Sequence, residues 1–246
     1  METIFRNIQI VASLSLICLL GCALQSVTTV IKKEAVNNEK QVNSDIRKAE
    51  KRREIRLYNY NKLIESAERW HGVVELTGKN DHPMIDRSMQ LCGLKPGMGY
   101  AWCGTCQADI YEYAGIANPL SGWVMSWFNQ NVVWKEEFGE LPKYIDVRGM
   151  AGGYYSSKLK RYAHIVLIVH ETDKYYYIEA GNTSPNGAVE WDENIITNNL
   201  LPEAEREGDG YYRKIVDKRT IDVLADYCLV GKLFIDEYDW YLQKFL

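Results

Sequence analysis

The stretch Gly97-Met-Gly-Tyr-Ala-Trp-Cys-Gly-Thr-Cys-Gln-Ala-Asp-Ile-Tyr-Glu-Tyr-Ala-Gly115 constrains the chain more than any other. Its approach, with Gly93, Pro96, Gly97 and Gly99 close together, is no central strand: glycine weakens a strand and proline cannot donate to its ladder. The spacing after it predicts a helix from Cys103 to about Ala114, stopped by Gly115. Cys103 therefore opens a helix. A thiol there meets unpaired backbone N–H groups and the positive end of the helix dipole, which predicts a depressed pKa and a nucleophile.

A second segment supplies a base. Ala163-His-Ile-Val-Leu-Ile-Val-His170 reads as a strand, Glu171 to Lys174 as a polar turn, and Tyr175-Tyr-Tyr-Ile-Glu-Ala-Gly-Asn182 as the returning strand of a hairpin. With a symmetric turn, His164 pairs opposite Gly181, and Glu179 falls on the same face about 7 Å away on the diagonal. Upstream, Tyr60 to Trp70 has helical spacing ended by Gly72, residues 72 to 81 form a polar loop, and Met84 to Cys92 is a helix stopped by Gly93. The expected class is α+β, with the Cys103 helix packed on an antiparallel sheet that carries His164.

Composition narrows the function. A formal net charge of -4 gives no basic field, so nucleic acid is not an expected partner. The 17 tyrosines and 7 tryptophans suit a groove for sugars or peptides, and equally the filling of a small mixed core. The 6 cysteines do not form a disulfide framework. Cys106, Ile110 and Tyr113 follow the spacing of a buried helix stripe, which makes Cys106 a core residue, and Cys92 and Cys228 read as buried thiols. His71, His82 and His170 have structural or exposed positions. No histidine pair offers metal-ligand spacing, so neither a metal nor another cofactor is expected.

Arg6 precedes an apolar run from Ile8 to Leu24 with the polarity order of a signal sequence. Its end, Leu-Leu-Gly-Cys22, resembles the lipobox of bacterial lipoproteins, which would make Cys22 the lipidated residue. The alternative is an uncleaved signal anchor, about 17 apolar residues being at the lower limit for a span. Either places the rest outside the cytoplasm, tethered to a membrane. The expected organisation is a signal or anchor over 1–24, a charged helical linker over 25–59, a catalytic domain over 60–220 and an extension over 221–246 packed on that domain.

Four motifs, in order, carry a resemblance to the CHAP family of cysteine, histidine-dependent amidohydrolases and peptidases, within the NlpC-type branch of papain-like enzymes. They are Gly72-Val-Val-Glu-Leu-Thr-Gly-Lys-Asn-Asp81, Trp102-Cys103 at a helix start, a strand opening on His164, and Glu179-Ala-Gly-Asn-Thr183. The likeness spans about Lys62 to Thr220 and extends to phage endolysins and bacterial cell-wall hydrolases. It implies a papain-like core and a peptidoglycan hydrolase in which His164 takes the Cys103 proton, the thiolate attacks an amide carbonyl, and water releases the acyl-enzyme. Relatives carry Glu-Gly-Asn where this chain has Glu179-Ala-Gly-Asn182, so either Glu179 or Asn182 is the third catalytic group. The N–H of Cys103 is the natural oxyanion donor, with Tyr100 as a second. Whether the bond is the sugar–peptide amide or a peptide bond stays open.

Two rival readings stand beside this one. Trp102-Cys-Gly-Thr-Cys106 mimics the thioredoxin redox motif, although the glycine-rich approach supplies no strand. A tethered cell-wall-binding module without catalysis would use the same aromatic groove. The N-terminal reading is testable by itself: Cys22→Ala should abolish metabolic lipid labelling, whereas persistent labelling, or an unprocessed N-terminus recovered from membranes, would leave the signal anchor.

Overall fold

The structure is a computed structural model that describes residues 2–143, 145–190 and 208–229, with side chains described from Lys32 onward except those of residues 34–36. The apolar run with Cys22 lies outside the described side chains, and residues 230–246 of the expected extension lie outside the described residues. Among the residues that are described, no helix is long and apolar enough to cross a membrane. The chain divides into two compact units, residues 1–53 and 54–246.

The first unit lies within one long helix, α1 (Glu2–Glu68). Residues 37–51 are exposed throughout, as their Lys, Glu, Gln, Asn and Arg content requires. Local contacts such as Gln41 with Asp45 and Lys48 with Asp45 support the helix from its own surface.

The second unit is α+β. After the last turns of α1 come α2 (Pro83–Leu91) and α3 (Cys103–Tyr113), then β1 (Val132–Lys135), β2 (Ala151–Ser156), β3 (Arg161–Glu171), β4 (Tyr175–Thr183), β5 (Gly210–Asp217) and β6 (Val223–Ala225). The strands form one antiparallel sheet in the order β1-β6-β2-β3-β4-β5. A papain-like assignment is finer than this architecture. The strand β6 belongs to the segment expected as an extension, yet it is an inner strand between β1 and β2, so the domain continues past residue 220.

Alternation along β3 sorts its residues between two cores. Ile165, Leu167 and Val169 face the helices, joining Leu63, Ala67 and Trp70 with Ile85 and Met89 of α2 and Cys106 and Ile110 of α3. Val166 and Ile168 face the other way, with Ile178, Ile221, Leu224, Val147 and Met150. In α2, proline occupies the first turn and the His82 ring accepts from the Met84 N–H at 3.2 Å, so His82 caps the helix. Ile85, Ser88 and Met89 form its buried stripe.

Arg56 ties the end of α1 to the residue after β6 and to the segment before β2. Its Nε donates to Asp226 at 3.0 Å and its Nη2 to the Arg148 carbonyl at 2.7 Å. One part of the predicted helix stripe does not hold. Tyr113 is 57% exposed and lies under the Arg69 guanidinium at 3.6 Å; the buried face of α3 runs instead through Cys103, Cys106, Gln107, Ile110 and Tyr111.

The start of α3 meets β4 at Gly181. A Cβ there would stand 2.5 Å from Trp102 Cζ3 and 2.9 Å from Cys106 Sγ. Gly181→Ala should therefore destabilise the domain by about 1–3 kcal/mol through overpacking. A urea melt with an unchanged midpoint would contradict this packing.

Candidate active site

Residues 92–102 are turns with no strand, and positive φ at Gly97 and Gly99 (77° and 69°) lets the chain double back to the start of α3. The loop at residues 72 to 81 is the scaffold for this approach. Glu75 accepts from the Trp102 indole at 2.9 Å through one carboxylate oxygen and from the Asn80 N–H at 3.1 Å through the other. Asn80 in turn donates its amide to the Tyr100 carbonyl at 2.7 Å. Trp102 stacks on Trp70 with ring centroids 5.8 Å apart. The first and second motifs thus form one hydrogen-bonded unit, with Trp102 held from two sides.

Trp102 is the N-cap of α3 and gives it no side-chain capping bond. Cys103 is the first residue of that helix, and the backbone N–H groups of Ile165 in β3, Gly104 and Cys103 favour its ionised form. The thiol is only 2% exposed. Burial raises its pKa, while the N–H groups and the charge of Arg161 pull downward without prevailing. The expectation of a depressed thiol is therefore corrected: burial sets the Cys103 thiol above its ordinary value. Tyr100, the expected second oxyanion donor, is 44% exposed, and its carbonyl is held by Asn80.

The histidine and carboxylate are not brought together with the thiol. At the hairpin turn Glu171 pairs with Tyr176, and an extra residue at Val169 then shifts the ladder so that Leu167 pairs with Glu179. Directly opposite residues share a face, so Glu179 lies with Leu167 on the helix side. His164 is three residues from Leu167 and falls on the other side. It pairs with Tyr154 of β2, the two rings 5.8 Å apart, and Tyr154 packs on the second core. The symmetric pairing of His164 with Gly181, and the shared face with Glu179, are thus corrected by a register shift.

Each of these residues has its own surroundings. The His164 imidazole is partly buried and held neutral, lowered to about 4 by burial and by the charge of Lys214. Glu179 is fully buried in an ion pair, accepting from Arg213 Nη2 at 2.7 Å and from the Tyr211 hydroxyl at 2.9 Å. Burial raises its carboxyl to about 7 against the pull of Arg213 and Tyr211. Asn182 sits at the irregular end of β4 with φ 56°.

Cys106 is fully buried, and its thiol is pushed well up by burial; Cys228 is likewise buried and Cys92 partly so, and all four described cysteines are free. No strand leads into α3, where the thioredoxin-like alternative would need one. No group of three His, Cys, Asp or Glu side chains among the described residues is placed to hold a metal ion.

Sequence reasoning missed the roles of Glu75 and Asn80 as braces, Tyr211 and Arg213 as partners of Glu179, and Arg161 beside the thiol. It also missed Gln107, one turn after Cys103, a buried side chain whose amide nitrogen and oxygen have no partner among the described residues. The position of Arg213 within Gly210-Tyr-Tyr-Arg-Lys214 was the available signal, since alternation puts Tyr211 and Arg213 on one face of that strand. Comparison with protein-family models, curated proteins and solved structures yields no match to this chain.

Because the Glu179 pKa is higher folded than unfolded, the native state holds a proton that the unfolded chain releases first. Its contribution to stability is full below about pH 4.5, the ordinary value, and is lost as pH rises through about 7. Unfolding free energies measured across that window should fall for wild type relative to Glu179→Gln, and parallel pH profiles would contradict the assignment.

Proposed function

We propose that the protein is a cysteine hydrolase of amide bonds in peptidoglycan, with Cys103 as nucleophile and His164 as general base. One observation carries the reading: Cys103 is the first residue of a helix without a side-chain cap, where backbone N–H groups of α3 and of Ile165 in β3 favour its ionised form. That arrangement stabilises negative charge on sulfur once the proton has left, and the same donors suit the oxyanion of a tetrahedral intermediate. The wall polymer as substrate follows from the motif resemblance, and the exposed aromatic side chains Tyr100 and Trp123 near this corner agree with a groove for it. An extracytoplasmic location, tethered through Cys22 or an uncleaved anchor, fits such a substrate.

The base requires a rearrangement of β3. Ala163 is an extra residue between the pairs Tyr154–His164 and Tyr155–Tyr162. Moving that bulge two residues along, to Ile165, would turn His164 to the helix side, beside the backbone that already touches the thiol. The neutral imidazole is the protonation state a base needs. For the third group, the register that pairs Leu167 with Glu179 would, if continued, set His164 across from Asn182. With both Glu179 oxygens engaged by Arg213 and Tyr211, Asn182 is the favoured orienting residue.

The test is digestion of purified peptidoglycan with mass spectrometry of the fragments, where the position of the new amino terminus, inside the stem or crossbridge or at the first residue of the stem, distinguishes peptide-bond cleavage from cleavage of the sugar–peptide amide. Cys103→Ala and His164→Ala should each reduce cleavage at least 100-fold, and Asn182→Ala should act more strongly on rate than on stability. A His164→Ala variant with near wild-type rate would overturn the proposed base. Absence of any cleavage by wild type would favour the binding-module reading.

A further inference from the structure

We infer that Arg161, laid over Trp123 beside the start of α3, is a carboxylate-binding position, so that the amide cleaved belongs to a peptide carrying a carboxylate close to the scissile bond. This deepens the proposed function and rests on Cys103 being the nucleophile.

Two chain segments reach the same corner from different directions. Arg161 opens β3, and four residues later the Ile165 N–H meets the thiol. On the other side Gly104, next to Cys103, lies so close to Gly122 that a Cβ would stand 2.5 Å from the Gly122 carbonyl oxygen. Trp123 follows directly. The guanidinium carbon of Arg161 lies 4.3 Å from the Trp123 ring centroid, a cation–π contact that holds the planar cation by its face.

What the arginine lacks is an acid. Arg56 is paired with Asp226, Arg148 with Asp146, Arg213 with Glu179 and Arg219 with Asp217. Among the described residues Arg161 has no such ion pair, and its one hydrogen bond is a long one, 3.3 Å, to the Tyr162 carbonyl. Its charge nevertheless reaches the thiol, where it favours the ionised form.

The corner is open. Trp123 is 54% exposed, so the indole under the Arg161 guanidinium presents apolar surface to solvent. A carboxylate can take two parallel N–H bonds from the guanidinium while the rest of the ligand lies on the indole. One guanidinium on an aromatic plate suits a monoanion better than a phosphate, which would call for further donors.

The test uses the full-length protein and does not require hydrolysis. Iodoacetate and iodoacetamide react with the same thiolate but differ in the carboxylate, so the ratio of their alkylation rates at Cys103 cancels any change in thiol ionisation. Arg161→Met should lower that ratio roughly three- to five-fold, the size of a half-exposed ion pair, and Arg161→Lys should restore part of it. Independently, the Trp123 indole N–H resonance should shift on titration with N-acetylglutamate, far less with N-acetylglutamine amide or inorganic phosphate, and not in Arg161→Met. An unchanged alkylation ratio together with equal shifts for acid and amide would overturn the inference, as would a phosphate response matching the carboxylate. A ratio that falls in a protein inactive on peptidoglycan would keep the anion site and reject the wall-hydrolase reading.

Discussion

The second unit depends on how closely the first turn of α3 presses on its surroundings. Gly181 lets Trp102 and Cys106 rest directly on β4, and Gly122 lets Gly104 touch a neighbouring loop backbone. A methyl group at Gly104 or Gly181 would collide with backbone or with buried side chains. These contacts fix the depth of the Cys103 thiol against β3, and so its burial and its N–H neighbours. The same closeness buries the thiol, and desolvation outweighs the donors around it and raises its pKa.

Opposite that contact, the sheet divides its polar groups between two faces. Glu179, Arg213 and Tyr211 occupy the helix side, a buried charge with a cation and a hydroxyl to satisfy it. His164, Tyr154 and Lys214 belong to the other side, where Lys214 donates to Thr183 at 2.9 Å. Single extra residues at Val169 and Ala163 decide this partition, because each changes the register by one. The catalytic proposal therefore turns on the mobility of a strand irregularity more than on a side-chain rotation.

Much of this was legible beforehand. The Cys103 helix, its glycine stop and the hairpin of β3 and β4 follow from periodicity and turn residues. The register did not, because the bulges at Val169 and Ala163 occur in apolar sequence with no glycine or proline to mark them. Strands β1, β2 and β6 were also hidden: β6 is three residues long, β1 four, and β2 opens on Ala151-Gly-Gly153. Tyr113 misled because i, i+4, i+7 spacing assigns it to the stripe, whereas the helix ends there and its ring turns out to meet Arg69. For the site, the nucleophile position was readable from one helix start, while the partners of Glu179 required tertiary pairing of β4 with β5.

The central claim is that the Cys103 sulfur becomes acylated. Wild-type protein mixed with soluble peptidoglycan fragments and quenched in acid should yield a Cys103-containing peptide heavier by the acyl portion of the fragment, with the added mass released by hydroxylamine as a thioester would be. Cleavage that proceeds without such an adduct, or an adduct on another residue, would contradict the account.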